Sequence, residues 1–258
     1  MKDNGLLVQY FNANTPADQT LWAKAAKDAV TLKKIGATAV WFPPATKGAA
    51  GKEDMGYAPY DLYDLGEFNQ KGSVGTRYGT KKEYLEAIDA MKVQGINVYA
   101  DIAVRQKLGA DSVEKVTAAD FNAKDIPQMI GNKKIVGALS KFTFAGRRSK
   151  YSKFKWNWNH FAGIDWQQDD FKKRVCELSG MTEEEAEKKY KLSKYDYIIG
   201  SELDLYNQEV YDELMTWAKW YEDVTGVDGF RFQEAEKVPG WFIRDFAEAA
   251  SNAGEEEK

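Results

Sequence analysis

Four short runs of apolar or β-branched residues punctuate the chain: LLVQYF (6–11), ATAVWF (37–42), INVYADIAV (96–104) and VDGFRF (227–232). Each is too short and too β-rich for a helix. Unbroken apolarity suits strands covered on both faces, so four buried strands are expected. Between them the hydrophobic period lengthens to that of a helix. Residues 20–35 place Leu21, Ala25, Ala29 and Leu32 on one stripe. Residues 80–94 open with a capping-box pair, Thr80 and Glu83, and carry Tyr84, Ile88 and Met91 inward. Residues 208–223 do the same with Val210, Leu214 and Trp217, and residues 239–251 begin with Pro239 at a first-turn position.

The order β-α-β-α-β-(long insert)-α-β-α reads as an α/β fold with a parallel sheet. Residues 1–104 and 206–258 make up this layer. The stretch 105–205 breaks the alternation and reads as a separate subdomain. It holds turn and strand material (SKFTFAGRRSKYSKFKWNWNHFAG), then a Glu/Lys-rich helical segment, MTEEEAEKKYKL, with Thr182 and Glu185 as a second capping box. Four βα units amount to half of an eight-unit barrel.

Composition narrows the function classes. The chain of 258 residues is 43% hydrophobic and 29% charged, an ordinary soluble balance. A net charge of −4, with no basic stripe, gives no footprint for nucleic acid. The single Cys176 excludes an internal disulfide, and the single His160 excludes a multi-histidine zinc site. The N-terminal apolar run is too short for a signal-peptide core or a membrane span, so the sequence as written reads as cytoplasmic or as a mature fragment. Aromatics reach 14%, a share that suits either a large core or flat rings presented to a sugar.

Several segments carry a family likeness: VQYFNANTP, GATAVWFPPATKG, DMGYAPYDLYDLGEFNQKGSVGTRYGT, INVYADIAVRQ, FKWNWNHFAGIDW and TGVDGFRFQEAEKVPGWFIRDF. Together they resemble the N-terminal half of the α-amylase family of glycoside hydrolases (family 13), in its bacterial liquefying branch. The likeness runs from about residue 4 to residue 250. It implies a partial (β/α)8 barrel of strands one to four, with a β-rich domain inserted after strand three. It also implies retaining hydrolysis of α-1,4-glucans, which needs two carboxyl groups roughly 5 Å apart.

Carried over residue by residue, the resemblance exposes substitutions at the reactive positions. The family's nucleophilic Asp ends a strand in a pattern like G-F-R-hydrophobic-D-A-x-K-H. Here that position is Gln233, preceded by the family's Arg at Arg231 and followed by Glu234, Ala235, Glu236 and Lys237. No catalytic residue is intact, and the acid/base Glu belongs to the half of the barrel not matched. Substrate-side positions implied by the family are Gln9, Tyr57, Tyr60, Asp101, Gln106, Arg231 and Lys237. Ala13 and Asn12 stand where the family has Trp and Glu.

The family's calcium site fares similarly. Asp196 matches and Glu202 stands for Asp, but Arg105 replaces the liganding Asn and Ala162 replaces an Asp. Calcium takes about six to eight oxygens, and Arg105 offers none. The expectation is a lost calcium site and no cofactor, with Arg105 pairing with Asp196 and Glu202 where the ion would sit.

Four functional readings follow. The first is a non-catalytic amylase-like protein with weak α-glucan oligosaccharide binding at most. The second is an interaction or scaffold piece whose open sheet edges are covered by self-association or by a complementary half-barrel. The third is a generated sequence that keeps the family's fold and drops its site. The fourth is an active α-amylase completed by another chain, against which Gln233 and Gln106 both argue.

Overall fold

The computed structural model describes residues 5–121, 129–166, 173–177 and 200–251. The Glu/Lys-rich segment with Thr182 and Glu185, and Asp196, lie outside these residues. Contacts divide the chain into two compact units. One comprises Met1–Val104, Ala145–Ser152 and Glu213–Lys258, and the other Arg105–Phe144 and Lys153–Asp212.

The first unit holds a four-stranded sheet in the order β1 (Leu7–Gln9), β2 (Ala39–Phe42), β5 (Asn97–Ile102), β12 (Gly229–Phe232). All three pairings are parallel. The connections contain the helices α1 (Leu21–Lys34), α2 (Lys81–Val93) and α3 (Gln208–Thr225), and β12 is followed by α4 (Gly240–Ser251). These elements lie within the stretches expected from periodicity, except that α3 runs two residues past its expected end at 223, because the two periods, near two and near 3.6, are cleanly segregated along the chain.

The registers Trp41↔Tyr99 and Arg231↔Asp101 set the two faces of the sheet. Trp41, Tyr99, Asp101 and Arg231 share one face; Val40, Phe42, Val98, Ala100, Phe230 and Phe232 share the other. On the apolar face, Phe230 and Phe232 meet Phe246 of α4 edge-on, with ring centroids 5.3 and 5.1 Å apart. Trp22 of α1 packs on Tyr84 of α2 at 4.7 Å, and the hydroxyls of Tyr84 and Tyr221, both fully buried, share a 2.8 Å hydrogen bond.

Two expectations change here. The buried stripe of α1 is Trp22, Ala25, Ala29 and Leu32, so Trp22 takes the place assigned to Leu21. The indole, one residue on, reaches the gap between α1 and α2 that a leucine would leave. Nor is β1 covered on both faces, for Leu7 is 56% exposed. Within the described residues β1 pairs on one side only, with β2.

The Thr80–Glu83 capping box forms as expected, with Glu83 Oε2 accepting from the Thr80 backbone N–H at 2.8 Å. Segment 145–152 was assigned to the insert but packs with the first unit. The buried Arg147 explains why: its Nε donates to Asp61 Oδ2 at 2.8 Å, and Nη1 donates to the Ser152 carbonyl at 2.7 Å. The buried Lys47 ammonium secures the loop after β4 (Pro59–Asp61), donating to the carbonyls of Phe68, Ser73 and Val74.

The second unit is built on a six-stranded sheet: β6 (Gln106–Lys107), β11 (Ser201–Leu203), β9 (Phe161–Trp166), β10 (Lys173–Glu177), β7 (Ser112–Phe121), β8 (Met129–Lys141). Every recorded pairing in it is antiparallel. Phe142, Phe144, Trp156 and Phe161 form its aromatic core, with the buried Lys107 ammonium 5.2 Å from the Trp156 ring centre. His160 is likewise a packed residue. Its Nδ1 accepts from the Asn157 backbone N–H at 3.0 Å, and its Nε2 meets Glu209 Oε2 at 3.0 Å. Among the described residues no helix is long and apolar enough to cross a membrane.

Candidate functional site

Parallel strands present their C-terminal ends on one rim, where α/β folds place reactive groups. On that rim of the first unit the sheet's polar face gathers Trp41, Asp101 and Arg231. The Asp101 carboxylate, 1% exposed, accepts from the Tyr57 hydroxyl at 2.6 Å and from Arg231 Nη1 at 3.1 and 3.2 Å. The guanidinium of Arg231 lies 4.6 Å from the Trp41 ring centre, a cation–π contact that fixes its plane. Burial raises the Asp101 pKa, against the opposing pull of Tyr57 and Arg231. Burial, then the hydrogen bond to Asp101, raises that of the Tyr57 hydroxyl, which stays a donor at neutral pH.

Gln233 follows directly on β12, and its backbone N–H donates to the Ile102 carbonyl at 2.9 Å, so it extends the pairing with β5. Its Oε1 is buried without a hydrogen-bond partner among the described residues. Burying an unmet acceptor is costly. The chain then turns at Glu234, which is left-handed (φ 49°, ψ 46°) and ion-paired with Lys237.

The structure therefore brings Tyr57, Asp101 and Arg231 together, with Gln233 at the same strand ends. Each of the other sequence-nominated residues has its own local partners. Gln9 is exposed, donates to the Phe11 carbonyl, and lines with Asn12 a surface cavity of about 580 Å³. Tyr60 is 3% exposed, with the Lys71 ammonium 3.9 Å over its ring, so its face is covered. Gln106 is buried in β6 of the second unit. Lys237 is engaged by Glu234. Trp41 was missed, although the polar-face parity of β2 would have nominated it.

In the second unit Arg105 Nη1 pairs with Glu202 Oε1 at 3.3 Å, both side chains less than a tenth exposed. Ala162 is buried and brings no side-chain oxygen. Among the described residues no group of three or more His, Cys, Asp or Glu is placed to hold a metal. Among the described residues the Arg105 guanidinium thus lies against the Glu202 carboxylate, and Asp196 lies outside them.

No protein-family model matches the chain. An α-amylase of Geobacillus stearothermophilus is 43% identical over 244 residues, covering 94% of this chain and 44% of the relative. The chain is a homologue of the α-amylases. The glucan 1,4-α-maltohexaosidase of Bacillus sp. (strain 707) is 40% identical, with 94% of this chain and 47% of the relative covered. The cytoplasmic α-amylase of Escherichia coli is 37% identical, with 95% and 50% covered. This α-amylase homologue thus spans about half the length of the curated relatives it matches. Among solved structures, the α-amylase of Geobacillus thermoleovorans, complexed with acarbose, superposes with a TM-score of 0.55 at 15% identity. It covers 97% of this chain and 44% of that one, which shows an α-amylase fold over the shared part.

Proposed function

We propose that this α-amylase homologue engages α-glucan chains weakly, at most, and does not cleave them. The observation that carries the reading is the amide at the end of β12. Retaining hydrolysis needs a carboxylate to attack the anomeric carbon and a second carboxyl to protonate the leaving oxygen. A carboxamide oxygen is neutral and a poor nucleophile, and no environment turns Gln233 into a carboxylate. Asp101 does not substitute for it, because Tyr57 and Arg231 engage both of its oxygens. The same groups suit a passive sugar contact: a phenol ring, a guanidinium, and a buried amide oxygen lacking a donor.

In this reading the parallel sheet is part of a (β/α)8 barrel and the second unit is its inserted subdomain. The βα order and the α-amylase superposition support both. The chain works without calcium, the Arg105 guanidinium standing where an ion would, and this rests on the pair with Glu202.

Incubation with a blocked maltooligosaccharide should release no chromophore above background, while maltoheptaose should quench tryptophan fluorescence saturably. Turnover would overturn the first half of the reading, and an unchanged spectrum the second.

A second reading is favoured by the open side of the parallel sheet. Leu6 and Leu7 are 41% and 56% exposed, and Val30 and Ile35 of the neighbouring α1 region are 47% and 61% exposed. Such a surface suits a partner chain, either a second copy or a complementary piece. Sedimentation separates the readings: a concentration-independent monomer removes self-association.

A further inference from the structure

We propose a second saccharide-binding site on the other unit, built around Trp158 and independent of the Tyr57 cluster. Trp158 is an exposed tryptophan, at 36%, and it lines a surface cavity of about 460 Å³. That volume falls within the range of roughly 300–1,000 Å³ usual for small-molecule sites. The rim adds Glu114, Lys141, Lys155, Asn157 and Asn159. These supply a carboxylate acceptor, ammonium donors, and amides that do both, around one flat indole face. A pyranose has this combination inverted: an apolar face of C–H groups and a belt of hydroxyls that donate and accept. One carboxylate against two ammonium groups is too balanced to hold a phosphate-rich polymer.

The platform is held in place before any ligand arrives. Trp156, two residues before it, is 3% exposed and packs edge-on to His160 at 5.7 Å. The Trp158 backbone N–H donates to Glu114 Oε2 at 3.0 Å, and Ser140 Oγ donates to the same oxygen at 2.7 Å. Asn157 Oδ1 accepts from the Asn159 N–H at 3.0 Å, and the Asn159 carbonyl accepts from Asn207 Nδ2 at 3.0 Å. The opposite wall is pinned by Thr143, whose N–H and hydroxyl both donate to Asp111 Oδ2. The indole therefore sits on a turn that is bonded on both sides, and binding need not order it.

The saccharide class rests on the pocket. Its being an α-1,4-glucan rests on the function proposed above.

The test is NMR of the indole N–H groups of the full chain, with the Trp158 signal assigned by its loss in Trp158→Phe. Maltoheptaose should shift that signal saturably, and cellohexaose should not. Trp158→Ala should weaken the binding read at the Asn157 and Asn159 amides about tenfold, the loss of one stacked ring. Trp158→Phe, which keeps the core covered, should weaken it less and guards against a folding artefact. The proposal predicts that Tyr57→Ala leaves the Trp158 titration unchanged. A Trp158 signal indifferent to both sugars overturns the site, whatever happens at Tyr57. Equal shifts with both sugars overturn the α-glucan assignment. A Trp158 titration with no response at the Tyr57 cluster sustains the site while overturning the function proposed for that cluster.

Discussion

Two arginine–carboxylate pairs, one in each unit, show opposite uses of the same chemistry. Arg231 meets Asp101 at the open end of the parallel sheet, with its side chain 46% exposed and its plane set by Trp41. Arg105 meets Glu202 with both side chains nearly closed off from water. The first pair leaves the Arg231 guanidinium half exposed at the strand ends that also carry Gln233. The second sets a guanidinium against a carboxylate with both side chains buried. Removing either arginine acts on a buried carboxylate, but Asp101 keeps the Tyr57 hydroxyl as a donor and Arg231 is itself half exposed. The first pair lies where a sugar contact is proposed, and the second is the ground for proposing that the chain works without calcium.

The comparison can be broken by deletion. Arg105→Ala should cost about 3–5 kcal/mol of stability, because it breaks a pair whose two side chains are both closed off from water. Arg231→Ala should cost less, about 1–3 kcal/mol, because the buried Asp101 loses one partner but keeps the Tyr57 donor, measured alongside it by urea denaturation. Equal losses would end the distinction. Chelator should leave the melting temperature of the wild-type chain unchanged; a drop of several degrees would return a metal to the second unit.

A smaller effect sharpens the first pair's role. Tyr57→Phe removes the 2.6 Å donor to Asp101 but keeps the ring, so it should weaken maltoheptaose binding less than Tyr57→Ala, both read by fluorescence titration. If the two variants bind alike, the ring is not a contact surface.

The mildest prediction concerns His160, whose pKa is lowered by burial, with Glu209 opposing. The sign follows from linkage: a lowered folded pKa means that the unfolded chain binds the proton first. Stability is then full above the unfolded value of about 6.5 and falls as pH drops below it. Because the sequence has a single histidine, one imidazole resonance reports the titration. Its midpoint should lie below 6.5. A midpoint above that value would mean that the Glu209 pair outweighs burial.

Much of the α/β layer was legible in the sequence because each element carried its own period. Val210, Leu214 and Trp217 fall on one helical stripe and are all fully buried. What the pattern could not reveal depends on long-range partners. Leu7 sits in an apolar run yet is exposed, because coverage of a strand is decided by its neighbours and not by its own residues. Segment 145–152 reads as insert by position, yet Arg147 to Asp61, Tyr151 to Glu67 and Ser152 to Glu213 tie it to the first unit. At the candidate site the residue types were legible, but their grouping was not. Tyr57 and Asp101 are 44 positions apart and meet at hydrogen-bond distance, while Tyr60, only three residues from Tyr57, is closed off under Lys71.

The central claim is that a site resembling that of an α-amylase has kept its surroundings and lost its reaction. The most direct measurement is prolonged incubation of the purified full chain with a blocked maltoheptaoside, followed by chromatography of the products. The account predicts that the substrate is recovered intact, at every pH tried, because no pH gives Gln233 a negative charge. Shorter maltooligosaccharides that accumulate in proportion to protein, and that disappear on Asp101→Asn, would contradict it.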